Sequence, residues 1–460
     1  MKKLFCLLMC LSMVFIISAC GDNNKNTENE EISLKKDLSG SKFIFGTIRP
    51  MELYPAEAFS QSGDRLLTRY REIESEFGCS FTVKTYPDAA SGPIRSAQLT
   101  GIEVPDIVDM NGDVAYALFI ADALLSYNDV PGIDLNDETK WGSKAFTSTG
   151  NFGGKQYGIF ANKWEIIPQM GGCVLFNNLL NNEWGLPNPY ELYENKQWTW
   201  DTFRKILTDA RHDEDKTKYY GFAVDEGYSA YGSILMKTVI FSNGGKALTE
   251  RSGKLTFGYD TPECIEAMEW AKNLLENDLM RKTGSNEIQE FTQGKCVYFL
   301  GDSWRGTIHT EDATYLPSVT MEEYGFMHFP TGPKAETGVA SSYVSVDRRL
   351  MFLPDLTDNE PEDLGFVLNF LFEVLDYETK ATWKDALKTE IVHHKVEDTA
   401  VFLKMYEDVT YDYSAYYFNV ISELNSAFTS VYNRKSGAAE AMQKISDKVN
   451  AEVEKNMYTE

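Results

Sequence analysis

Apolar positions along this chain follow two rhythms, one of period two and one of period 3.6, and their alternation sets the expected elements. Lys42-Phe43-Ile44-Phe45-Gly46-Thr47 is a short run rich in β-favouring residues and is expected to be a strand. After a loop through Arg49, Pro50 and Pro55, the residues Leu66, Leu67, Tyr70, Ile73 and Phe77 recur at helical spacing, and Gly78 stops that helix. Phe81-Thr82-Val83 is the next strand. A helix around Ile94 to Leu99 follows, and then a strand from Val104 to Asp109. Strand, helix, strand, helix, strand is the order of a doubly wound α/β sheet with right-handed crossovers.

The same grammar continues downstream. A Gly153-Gly154 turn leads into a strand over Lys155 to Ile159, and Gly171-Gly172 precedes a second apolar strand, Cys173-Val174-Leu175-Phe176. Asn177-Asn178 opens a short helix closed by Gly185 and Pro187. Thr199 is placed to cap a helix whose apolar face is Phe203, Ile206, Leu207 and Ala210, and Thr261 to cap one with Pro262 at its first position. Strands are expected at Val297 to Leu300 and Tyr324 to Pro330, and from Pro361 onward the chain reads as mainly helical.

Charge narrows the range of partners. The 69 acidic residues against 44 basic ones give a formal charge of -25, which argues against nucleic acid, whose phosphates select clustered Lys and Arg. No HExxH, CxxC, P-loop or usable Ser/His/Asp order occurs, and the five histidines are scattered, so no cofactor or metal is expected. The Asp213-Glu214-Asp215 stretch lacks the Gly and Glu that a calcium loop needs at its sixth and twelfth positions, and it is read as a solvated loop. Cys79, Cys173, Cys264 and Cys296 are widely spaced and are read as buried thiols, with a disulfide as the alternative.

Residues 1–19 form a charged start and an apolar run too short for a stable membrane span. Their end, Ile17-Ser18-Ala19-Cys20-Gly21, resembles a bacterial lipobox. That resemblance implies a diacylglycerol thioether on Cys20 and a chain anchored to the outer face of the cytoplasmic membrane. Residues 20–40 carry almost no large apolar side chains and form a tether with a reach of roughly 25 Å.

Several phrases in order carry a wider resemblance: Gly101 to Val108 ending in PDIV, GKQYGI followed by LFNN, TW-D-x-F from Thr199, Gly244-Gly245-Lys246, FTQGK followed by GDSW, and a closing GAAEAM-x-K helix. Together the chain resembles the family 1 extracellular solute-binding proteins, the sugar-type receptors of ABC importers. The resemblance implies a two-lobed periplasmic-binding-protein-like α/β fold with a hinge and an interlobe ligand cleft. Lobe 1 would be residues 41–158 with 340–378, and lobe 2 residues 162–337 with 390–460. It also implies ligand contacts from Asp109, Asn111 and Asp113 past the PDIV strand, Trp164 and Glu165 beside the first crossing, Asp302 and Trp304 in the GDSW loop, and Ser342 and Tyr343 at the second crossing. Tyr416, one of five tyrosines between positions 406 and 418, is added as a cleft candidate. The implied partners are a carbohydrate and the permease subunits of an importer, and a monomer is expected.

Composition supports binding on its own terms. A sugar ring has an apolar face and a polar edge, and 8 Trp, 25 Tyr and 27 Phe with acidic neighbours supply suitable platforms. The enzymatic alternative is a surface glycoside hydrolase using an Asp/Glu pair, which 69 acidic residues do not exclude. An adhesion or scaffolding protein is expected to show repeats, and none is found.

Overall fold

The computed structural model of the protein describes residues 36–57, 61–86, 91–141, 144–160, 169–214, 217–225, 233–281, 287–303, 305, 324–336, 338–340, 342–344, 349–355, 357–373, 396–411 and 419–458. Cys20, Trp164, Glu165, Trp304 and Tyr416 lie outside the described residues, as do the leader and most of the tether.

In chain order the first part supplies β1 (Lys42–Thr47), α1 (Gln61–Phe77), β2 (Ser80–Thr85), α2 (Ser91–Thr100), β3 (Ile107–Asn111), α3 (Gly112–Ile120), β4 (Leu124–Leu125) and β5 (Gly158–Ile159). The middle supplies β6 (Cys173–Asn177), α4 (Trp200–Asp209), β7 (His212–Glu214), β8 (Thr217–Val224), α5 (Ser233–Ser242), α6 (Pro262–Glu276), β9 (Cys296–Gly301) and β10 (Tyr324–His328). The last part gives β11 (Tyr343–Val344), β12 (Arg349–Pro354), α7 (Pro361–Leu371), α8 (Val396–Glu407), β13 (Thr410–Tyr411), α9 (Ile421–Tyr432) and α10 (Ala438–Tyr458).

These strands form two main sheets. The first has the order β2-β1-β3-β12-β4, with β5 also paired to β12. Strands β1, β2 and β3 are parallel, and β12 runs against β3. Period-two alternation divides the side chains between its faces. Phe43, Phe45, Ile107, Met351 and Leu353 share a core with Leu66, Tyr70 and Ile73 of α1 and Leu364 and Leu368 of α7. Val108, Met110, Leu350 and Phe352 meet Ile94 of α2 and Ala115 and Leu118 of α3 on the opposite face.

The second sheet has the order β10-β6-β9-β8-β7. Strands β8 and β9 are parallel, and β6 runs against both β9 and β10. Every residue of β6 and β9 is buried, which is why both read as continuous apolar runs. Their core takes in Phe203 of α4, Ala267 of α6 and Phe402, Phe428 and Val449 of α8, α9 and α10. Helix α8 seals the edge at β10. The buried Asp398 carboxylate accepts the Phe326 amide at 2.7 Å and the Tyr190 hydroxyl, filling a bond that a further strand would have made.

Two local expectations are corrected. The strand expected from Val104 begins at Ile107, because Pro105 has no amide to give and the Asp106 carboxylate takes the Ile44 amide at 2.7 Å. Thr261 precedes α6 with Pro262 at its first turn but makes no side-chain cap, and its hydroxyl turns to Cys264 Sγ at 3.2 Å instead. The Thr199 cap is present, its side chain accepting the Thr202 amide. All four described cysteines are buried free thiols.

Candidate functional site

In open α/β sheets, ligands bind beyond the carboxyl ends of the parallel strands, where side chains leave the core and loops begin. The chain passes from the first sheet to the second between the end of β5 and the start of β6. Because β6 is antiparallel to β9, its start lies at the carboxyl ends of β8, β9 and β10. The return leads to the start of β12, which lies at the carboxyl ends of β1 and β3. Both crossings therefore join one carboxyl edge to the other.

At the first edge the register places Gly46 beside Val108 and Met351 beside Asp109. Thr47, Asp109 and Arg349 are each two residues from core positions Phe45, Ile107 and Met351, so they share that face where it runs out of apolar cover. Arg349 Nη2 donates to Asp109 Oδ2 at 3.2 Å, to the Asp109 carbonyl at 2.5 Å and to Thr47 Oγ1 at 3.3 Å. The Thr47 hydroxyl donates to Asp109 Oδ2 at 3.0 Å and accepts the Arg49 amide at 3.0 Å. Asn111 is half-buried at the end of β3 and starts α3 without a side-chain cap. Asp113 is exposed in the first turn of α3, its Oδ1 accepting the Val114 amide at 2.8 Å.

The second edge is built on a tighter pair. Asp225 follows β8 directly, and Arg305 lies four residues past β9. The guanidinium donates through Nε to Asp225 Oδ2 at 2.5 Å and through Nη2 to Oδ1 at 3.0 Å, a two-pronged fork between side chains only 6% and 10% exposed. The turn between them is stitched to the first crossing, since the Ser303 amide donates to the Met170 carbonyl at 2.8 Å and Ser303 Oγ accepts the Met170 amide at 2.9 Å. Asp302 is half-buried in this turn, its carbonyl accepting the Arg305 amide at 3.1 Å.

The crossings also touch each other. Gly171 and Tyr343 form an antiparallel bridge, the Gly171 amide donating to the Tyr343 carbonyl at 2.8 Å. The buried Tyr343 ring stacks on Phe241 at 5.0 Å and lies so close over Gly171 that a Cβ there would come within 2.4 Å of it. Ser342 is buried and donates to the Met405 carbonyl at 2.6 Å. Nearby, His328 ends β10 fully buried with Nδ1 2.7 Å from the Phe329 carbonyl, and burial holds its imidazole down at about 4.

The structure thus gathers Asp109 and Asn111 at one edge, Asp302 at the other, and Ser342 and Tyr343 at the crossing. Thr47, Asp225, Arg305 and Arg349 were not singled out by the sequence. Their signal was a polar residue directly flanking an apolar strand, which is equally the mark of an ordinary strand end.

Two sheets joined twice at their carboxyl edges define a two-lobed periplasmic-binding-protein-like fold, and comparison with solved structures agrees. A cyclic α-maltosyl-1,6-maltose binding protein from Arthrobacter globiformis superposes with a TM-score of 0.62 at 16% identity, covering 90% of this chain and 98% of that one. A cyclo/maltodextrin-binding protein complexed with maltotetraose gives 0.62 at 14% identity, covering 91% and 98%. A Mycobacterium tuberculosis protein in complex with glycerophosphocholine gives 0.60 at 13% identity, covering 91% and 99%. At the level of sequence, no family model and no curated protein matches the chain.

Proposed function

We propose that the protein is the extracellular solute-binding component of an ABC importer, taking a small oligosaccharide into the cleft between two lobes and delivering it to permease subunits. The observation that carries this is the joining of two carboxyl edges by both crossings, since a solute held there touches both lobes at once. The sugar-binding proteins of like fold support carbohydrate as the solute class. Binding is favoured over glycoside hydrolysis because the buried carboxylates at the two edges, Asp109 and Asp225, are each paired with an arginine rather than held as an acid or nucleophile.

In this proposal Asn111, Asp113, Asp302, Trp164, Glu165, Trp304 and Tyr416 supply ligand contacts, and Asp109, Ser342 and Tyr343 support them from within. The lobes are 41–158 with 349–378 and 162–344 with 390–460. Residues 340–344 go to the second lobe because Ala340 bonds Asp408, Ser342 bonds Met405 and Thr410 bonds Ser342. A lipid on Cys20 holds the protein to the outer face of the cytoplasmic membrane. Titrating the purified protein with maltotetraose, and with glycerophosphocholine as the contrasting ligand, tests the central part. One-to-one heat with maltotetraose and no product supports the proposal. Hydrolysis products would favour the glycosidase, and binding of glycerophosphocholine alone would overturn the sugar assignment.

A further inference from the structure

We propose that Arg349 is a positioning residue for solute capture, one that fixes the β1 and β3 loops of the first lobe to the strand that receives the second crossing without touching the solute itself. The inference rests on the solute-binding proposal and adds a residue and a role to it.

Strands β1 and β3 end at this edge beside the start of β12, and the guanidinium reaches both. Arg349 stands at the first position of β12, opposite Asn111 in the register. Its Nη2 holds the Asp109 carbonyl and carboxylate on β3 and the Thr47 hydroxyl on β1. Thr47 passes the constraint on, because its hydroxyl accepts the Arg49 amide and its carbonyl accepts the Tyr86 amide at 2.9 Å. The chain then leaves the sheet on both sides of the clamp, through Ile48 and Arg49 after β1 and through Asn111 to Asp113 after β3.

The clamp is built for geometry rather than for charge alone. Asp109 is 7% exposed and Arg349 17%, so water competes poorly for the bonds. A lysine would supply the same charge from a single nitrogen and would lose the second prong, the bond that Arg349 Nε donates to Asp109 Oδ2 at 3.3 Å. Asp109, the residue that the sequence pointed to as a solute contact, is on this account spent on Arg349 and Thr47.

The two roles are separated by comparing Arg349→Lys and Arg349→Met with the wild type in three measurements on the mature chain. These are melting temperature, amide exchange without ligand, and affinity for maltotetraose and glycerophosphocholine. We expect Arg349→Lys to recover most of the melting temperature that Arg349→Met loses, while both exchange amides of segments 47–49 and 110–114 about tenfold faster and leave β6 and β9 unchanged. Affinity for whichever probe binds the wild type should fall roughly tenfold in both variants, the size expected for loss of one or two charged hydrogen bonds. Unchanged exchange in those segments would overturn the proposal, and so would affinity that recovers in step with melting temperature in Arg349→Lys. If neither probe binds the wild type, the oligosaccharide assignment fails, and the exchange measurement alone decides whether Arg349 orders the two loops.

Discussion

The two carboxyl edges are fastened by the same chemistry in different degrees. At the second edge Arg305 and Asp225 form a closed fork, both side chains nearly sealed, and the pair ties one turn to one strand. At the first edge Arg349 is more open and spreads its bonds over β1 and β3, with Thr47 sharing the Asp109 carboxylate. The closed fork concentrates stability in two residues. The open clamp shares it among three and leaves each bond weaker. The fork fixes one turn to one strand, whereas the clamp fixes the loops after β1 and β3 together.

That contrast is broken most sharply by removing each guanidinium. Arg305→Met removes the two-pronged fork from a buried carboxylate and should cost about 3 to 5 kcal/mol, whereas Arg349→Met should cost about 2 kcal/mol because Thr47 still serves Asp109. Urea unfolding of both variants checks this. Equal losses would mean that the two edges are energetically alike.

Acid should separate the lobes next. The described part of the first lobe contains no histidine, while the second buries His328 with its imidazole held at about 4 against an ordinary value of 6.5. Its folded form binds fewer protons than its unfolded form between those values. The contribution to stability is complete above pH 6.5 and is lost as pH falls toward 4, by about 3 kcal/mol. His328→Phe should flatten that part of the pH-stability curve, and an unaltered slope would assign the acid sensitivity to the carboxylates.

Gly171→Ala should cost about 1 to 3 kcal/mol, since the added Cβ must displace a Tyr343 ring already backed by Phe241. Amide exchange at Gly171 and Thr410 should quicken with it. No change there would show that the two crossings are not held by this contact.

Much of the fold was legible because strand and helix periods are written in apolar residues. β1, β3, β6 and β9 stand near their expected places, and α1, α4 and α6 follow their apolar spacing. The site was less legible. Asp109 was singled out as a solute contact, since it ends a recognisable phrase, but its partner Arg349 lies 240 residues away and only the β3–β12 register brings the two together. Arg305 directly follows the GDSW phrase and drew no assignment, because nothing local says that the next strand over is followed by Asp225. Thr261 shows the opposite failure. Its sequence fits a cap, yet Cys264 Sγ lies within reach of the hydroxyl and takes the bond.

The central claim is that the two sheets are separate bodies closing on a shared solute, and solution scattering tests it most directly. A solute gains from closure only what it touches in the closed state and not in the open one. The account predicts a smaller radius of gyration with saturating maltotetraose than without it, and no change with a sugar that calorimetry shows does not bind. Saturable binding with superimposable scattering profiles would contradict it.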